Sequence, residues 1–182
     1  AYSSGKYTRS SKITISGCTN SGDVTKSGEG SGNMHVGGIV AFLNGALEEG
    51  KDYTYVADLI DCTNAAEAEI LNGSSGSGAW HTYTGGIVGY YRVPGEARNC
   101  KNYGSVKNTT GANVPNVFNA VRIGGIAGSA ENGIMKDCVN AGAVADESVS
   151  NAGCVGGIAG YVATNATTMT GCRNIKSVAG RF

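Results

Sequence analysis

Five times in this chain a cysteine is followed two residues later by asparagine: Cys18 and Asn20, Cys62 and Asn64, Cys100 and Asn102, Cys138 and Asn140, Cys172 and Asn174. Six residues after each cysteine stands a small apolar residue: Val24, Ala68, Val106, Val144 and Val178. A second phrase, Gly-Gly-Ile-Val/Ala-Ala/Gly, begins at Gly37, Gly85, Gly124 and Gly156. The two phrases alternate in strict order. Such alternation is an internal repeat, and a repeat fixes the architecture before any single residue is read. Most recurring residues in such a chain are there to stack.

Aligning the chain on its cysteines brings out further columns. Three residues before cysteine stand Ile15, Leu59, Ala97, Met135 and Met169, all apolar. Immediately before it stand Gly17, Asp61, Asn99, Asp137 and Gly171, all turn formers. Four residues after it stand Gly22, Ala66, Gly104, Gly142 and Lys176. Cysteine, asparagine and the final apolar residue share one parity, so an extended chain points them the same way.

The glycine phrase reads as a strand of glycine and β-branched residues, over His35–Phe42, Thr84–Tyr91, Ile123–Gly128 and Val155–Val162. Helix signals are weak. The best candidate, Leu43–Asp58, is interrupted by Gly50 and the Tyr53, Tyr55, Val56 series. Successive cysteines lie 44, 38, 38 and 34 residues apart. That length accommodates roughly three short strands and their loops per repeat. The variation falls in the connections 43–58, 69–83 and 107–121, which a stacked repeat tolerates as loops. The expected fold is all-β: a right-handed parallel β-helix or β-solenoid of about four to five coils with irregular loop insertions, spanning 1–182 as one domain. Coils would repeat at about 4.8 Å, turning identical positions into ladders. Asparagines would hydrogen-bond along theirs, and cysteines would fill a narrow interior.

Composition suits this picture. Fourteen basic and fourteen acidic side chains cancel, and only 15% of residues are charged, which gives no electrostatic reason to bind nucleic acid. The apolar runs are far shorter than the roughly 20 residues of a transmembrane helix, so no membrane-spanning segment is expected. With three Phe and one Trp, the core must come from Ile, Val, Leu, Ala and Cys.

Gly-Gly-Ile-Val-Gly, a variable stretch, then Cys-x-Asn-x-Gly-x-Val resembles the GLUG-motif repeat of bacterial surface and secreted proteins, adhesin-like proteins among them. The resemblance covers about residues 13–180. It departs from the pattern in three places: no glycine phrase precedes Cys18, so the first repeat is partial, and Ala66 and Lys176 replace the usual glycine. The resemblance implies an exported bacterial protein, extracellular or at the cell surface. It brings no catalytic residues to carry over. The partners it suggests are host or dietary glycans or surface proteins.

Candidate chemistry is sparse. The cysteines read as a buried, unpaired ladder. Disulfides between neighbouring coils are not excluded by distance, and Cys154 stands outside the column. No Cys-x-x-Cys pair supports a metal site, and no cofactor motif is present. His35 and His81 each precede a glycine phrase, and neither begins a His-Glu-x-x-His motif. Asp61 and Asp137 share the turn column two rungs apart, about 9–10 Å on ideal stacking. A carbohydrate-active β-helix enzyme, lyase or glycosidase, would need such paired carboxylates. The turn column gives them a simpler reading. The glycine-rich runs Ser27–Gly32 and Gly73–Gly78 match no phosphate-loop pattern and read as surface loops.

The expected function is therefore non-enzymatic: an adhesin-like solenoid that presents loops to a glycan or protein, or serves as a spacer. Candidate binding residues are the aromatics outside the ladders. These are Tyr53 and Tyr55 in the largest insertion, Trp80, His81 and Tyr83 entering the second glycine strand, and Tyr91 leaving it. Phe42, Tyr90 and Tyr161 share one column and read as stacked structure.

Overall fold

The computed structural model describes residues 9–28, 32–45, 53–73, 81–109, 121–148, 153–163 and 167–180. The chain forms a parallel β-solenoid of five coils, and all its described strand pairs are parallel. The expected all-β solenoid is what the chain adopts. Among the described residues no helix occurs, and none is long and apolar enough to cross a membrane. The Leu43–Asp58 segment, the best helix candidate, instead contributes the end of strand Val40–Asn44 and the start of strand Tyr53–Ile60. Residues 46–52 lie outside the described residues.

Five sheets run along the solenoid. The first holds Arg9–Ser16, Tyr53–Ile60, Glu96–Arg98, Ile134–Lys136 and Thr168–Thr170. The second holds the two-residue strands Thr19–Asn20, Thr63–Asn64, Lys101–Asn102, Val139–Asn140 and Arg173–Asn174. The third holds Val24–Lys26, Glu69–Asn72, Ser105–Asn108, Val144–Asp146 and Val178–Ala179. The fourth holds Met34–Gly37, Thr82–Gly85, Val121–Gly124 and Gly153–Gly156. The fifth holds Val40–Asn44, Val88–Arg92, Ala127–Ala130 and Ala159–Val162. A complete coil thus has five strands, where length alone suggested three. The extra two arise because the glycine phrase is not one strand. It breaks at its second glycine into a corner between the fourth and fifth sheets.

The turn before each cysteine is where the backbone must reverse its hand. Gly17, Asp61, Asn99, Asp137 and Gly171 all adopt positive φ, between 53° and 64°. This is the left-handed region open to glycine and tolerated by Asn and Asp. The turn reading of Asp61 and Asp137 therefore has its physical cause, and both side chains are exposed there.

The asparagine column forms a continuous ladder. Asn20 Nδ2 donates to Asn64 Oδ1 at 2.8 Å, and Asn64 Nδ2 to Asn102 Oδ1 at 2.8 Å. Asn102 donates to Asn140 and Asn140 to Asn174, each at 2.7 Å. In four of the five, Asn20, Asn102, Asn140 and Asn174, the amide also caps the carbonyl two residues on, as from Asn102 to Gly104 and from Asn140 to Gly142. The ladder abuts the glycine corner on the opposite wall: a Cβ at Gly86 would lie 2.5 Å from Asn102 Cγ, and Gly125 and Gly157 face Asn140 and Asn174 in the same way. The two sequence phrases are thus two sides of one contact.

The apolar core falls into two clusters. The larger packs Leu59, Ala97 and Met135 with Cys62, Cys100 and Cys138 against Val88, Tyr91, Ile126 and Ala127. The smaller packs Ile70, Val106 and Val144 against Val36, Val121 and Ile123. One column needs correction. Ile70, not Ala68, pairs with Val24 and Val106. The second coil carries two extra residues as a turn closed by Ala68 N–H to Ala65 O, so counting six from cysteine lands two short. The ladder thiols form no disulfide and lean on neighbouring carbonyls, Cys100 Sγ lying 3.4 Å from Leu59 O and Cys138 Sγ 3.3 Å from Ala97 O. They behave as small apolar fillers with a weak donor.

The last glycine of the phrase has its own cause. A Cβ at Gly128 would stand 2.5 Å from Thr84 N, and one at Gly160 2.5 Å from Ile123 N, because the fifth sheet crosses close over the preceding coil's fourth-sheet strand. The first coil has Ala41 at this position, exposed, with no preceding coil in the described stack. Gly128→Ala should therefore lower stability by about 1–3 kcal/mol through overpacking. Ala41→Gly should cost under about 1 kcal/mol. Urea unfolding of both variants checks this, and equal midpoints would contradict the close crossing.

Candidate functional site

Folding the glycine phrase into a corner brings together residues seven apart. An unbroken strand would hold them about 23 Å apart. Across the corner His35 meets Phe42, with ring centroids 4.6 Å apart, and Tyr83 meets Tyr90 at 4.7 Å. In the next coil Arg122 Nη1 donates to Ser129 Oγ at 3.1 Å.

The ladder rule then stacks these pairs along the solenoid. His35 pairs in register with Tyr83, Tyr83 with Arg122, and Arg122 with Cys154. Phe42 pairs with Tyr90, Tyr90 with Ser129, and Ser129 with Tyr161. The His35 and Tyr83 rings are stacked 4.9 Å apart with planes 4° from parallel, and Phe42 stacks on Tyr90 at 5.5 Å. The Arg122 guanidinium continues the column, 5.2 Å from the centre of Tyr83 and 3.9 Å from that of Tyr161. The result is an aromatic and cationic ridge across the corner, in which Tyr83 and Tyr90 are buried and Phe42 is exposed.

A carboxylate anchors the ridge. Glu131 Oε1 receives Arg122 Nη1 at 3.0 Å and the Ser129 hydroxyl at 3.0 Å. Its Oε2 receives the Tyr90 hydroxyl at 3.0 Å. Both charged side chains are largely buried, at 11% and 19% exposure, so the pair is shielded from solvent. Burial, then the Glu131 charge, pushes the Tyr90 phenol up to about 12, and burial raises Tyr83 too. Both phenols remain protonated near neutrality, and that of Tyr90 donates to Glu131. Burial lowers His35, and burial followed by the Arg122 charge lowers His81.

The ridge gathers some of the expected binding residues and leaves others out. Tyr83 belongs to it, in strand Thr82–Gly85, and His81 lies 6.0 Å from Tyr83 at its margin. Tyr91 does not: it is fully buried in the larger core, where its hydroxyl donates to Ala57 O at 2.9 Å. Adjacent strand residues face opposite ways, so Tyr90 turns to the ridge and Tyr91 inward. Tyr53 and Tyr55 sit in strand Tyr53–Ile60 rather than in a loop, paired with Arg9 and Ser11. Trp80 lies outside the described residues. Phe42 and Tyr90, read as stacked structure, are indeed stacked. Yet Phe42 is 46% exposed and half-buried His35 adjoins it, so this part of the stack faces solvent. Sequence reasoning missed Arg122 and Glu131. The signal was a spacing of seven across each Gly-Gly-Ile phrase, which acquires meaning only once the phrase is bent.

Among the described residues no cluster of three or more His, Cys, Asp or Glu side chains is placed to hold a metal ion. No protein-family model, curated protein or solved structure matches the chain.

The half-buried histidines carry a pH signature. Their lowered values mean the unfolded chain binds more protons than the folded one in the range below about 6.5. Stability is therefore full above that value and falls as pH drops through it. Urea midpoints measured from about pH 7.5 down to about pH 5 should decline, and His35→Gln should shrink that decline. An unchanged slope in the variant would contradict the burial of His35 in the stack.

Proposed function

We propose that this chain is a non-enzymatic β-solenoid binding module of an exported bacterial protein, of the GLUG-repeat type, and that its ligand is a glycan bound on the aromatic ridge. The observation that carries the ligand assignment is Phe42, a large ring 46% exposed and held rigid against His35 and Tyr90. A preorganised ring offers a flat apolar face at little entropic cost. The apolar face of a pyranose fits such a surface, and its hydroxyls can be met by His35 and by nearby Asn44, two residues along from Phe42. The surface-protein and localisation parts of the reading rest on the GLUG-like phrases.

The engagement of the ridge's groups supports a non-enzymatic reading. Glu131 is held by Arg122, Ser129 and Tyr90. A carboxylate locked in this way is a structural brace, unlike the free pair that glycoside cleavage requires. The carboxylates of the turn column, Asp61 and Asp137, are on the exposed left-handed turns before the cysteines.

A glycan array followed by calorimetry on the strongest responder tests the proposal. Phe42→Ala should weaken binding about tenfold, as expected for loss of one aromatic contact, with little change in unfolding midpoint because the ring is exposed. Trp80→Ala, run in parallel, reports whether the neighbouring segment shares the ligand. No retained glycan at millimolar concentration, or equal binding by the Phe42 variant, overturns the assignment.

A further inference from the structure

Among the described charged side chains of the ridge, Arg92 stands open to solvent at 49% exposure, while Arg122 and Glu131 are largely buried. The opening is sideways. Its strand, Val88–Arg92, lies between Val40–Asn44 and Ala127–Ala130 in the fifth sheet, so a coil adjoins it on each side. The Arg92 carbonyl accepts from Gly45 N–H on one side, and Glu131 N–H donates to the Tyr91 carbonyl on the other.

Strand alternation puts Arg92 on the same face as Tyr90, and register sets it beside Asn44. It is the diagonal neighbour of Phe42, about 8 Å away from Cα to Cα on sheet spacing. Side chains link the two as well. Phe42 stacks on Tyr90, and the Tyr90 hydroxyl and Arg92 Nε approach the same Glu131 oxygen, at 3.0 and 3.9 Å.

Glu131 has little left to offer Arg92. Its Oε1 takes Arg122 and Ser129, and its Oε2 takes the Tyr90 phenol. At 3.9 Å, Arg92 Nε is beyond hydrogen-bond distance. No other carboxylate pairs with Arg92 among the described residues. Two arginines against one carboxylate leave the ridge one positive charge. Burial keeps His35 and His81 from adding to it near neutrality. Because Arg122 and Glu131 pair at 3.0 Å, the uncompensated charge sits at Arg92. A guanidinium is a planar fork of donors that matches a carboxylate with two parallel hydrogen bonds.

We propose that the glycan of the ridge is acidic, and that Arg92 holds the carboxylate of a uronic-acid unit whose ring lies on Phe42. This rests on the glycan reading above and adds the class of sugar. A neutral pyranose would satisfy the ring and leave the guanidinium to water. A uronate supplies both contacts from one unit.

Calorimetry with a uronic-acid oligosaccharide, its methyl ester and a sulfated neutral oligosaccharide of equal length reads the preference. The ester keeps the rings and removes the charge. The uronate should bind at least about tenfold more tightly than its ester, and its affinity should fall as salt is raised. Arg92→Gln should bring the uronate down to the affinity of the ester and leave ester binding unchanged. Arg92→Lys, which keeps the charge without the fork, should fall between. Phe42→Ala should weaken uronate and ester alike. Unfolding midpoints of the Arg92 variants should match the wild type, because the side chain is exposed. An ester that binds as tightly as the uronate overturns the proposal and leaves the glycan reading standing. So does an Arg92→Gln variant that loses both ligands equally, or tight binding of the sulfated probe with none of the uronate. If neither the uronate nor any neutral glycan binds, the glycan reading falls and this proposal with it.

Discussion

The contact between the asparagine ladder and the glycine corner is the constraint on which the rest of the solenoid depends. An asparagine buried in a narrow interior must satisfy its amide and its oxygen or carry a desolvation cost of about 1–3 kcal/mol. Here the rung above and the rung below do so, at 2.7 to 2.8 Å. The side chain reaches across the coil only because the opposite wall is glycine. Each half of the repeat therefore requires the other. The apolar clusters pack once the contact sets the separation of the walls.

The same corner makes the candidate site. Bending the phrase at its second glycine turns two strand segments toward each other, so residues seven apart become neighbours. In-register stacking then extends each neighbour pair along the axis. His35, Phe42, Tyr83 and Tyr90 form rings in mutual contact, and Arg122 continues the column to Tyr161. The recurring frame supplies position. The non-recurring residues at frame positions supply chemistry.

This division explains what could be read from the chain alone. The ladders were readable because five near-copies of one phrase constrain each other. The cysteine, asparagine and turn columns appear in the structure where the alignment put them. The Ala68 column failed because a two-residue turn, Ala65 to Ala68, shifted the count without altering the phrases on either side. The ridge was not readable. Adjacent apolar residues in Gly-Gly-Ile-Val look like one buried strand, and only three-dimensional closure of the coil shows the bend. Tyr90 and Tyr91 differ by one residue, and strand alternation sends one to the ridge and the other to the core.

The most direct test of the ladder's governing role is the unfolding free energy of Asn102→Ala, measured by urea titration. Asn102 lies at the centre of the ladder, and its removal leaves Asn64 without its rung acceptor and Asn140 without its rung donor. The account predicts a loss of about 3 kcal/mol or more, the penalty for several buried polar groups left unpaired. A variant within about 0.5 kcal/mol of the wild type, the range of an ordinary surface change, would contradict it.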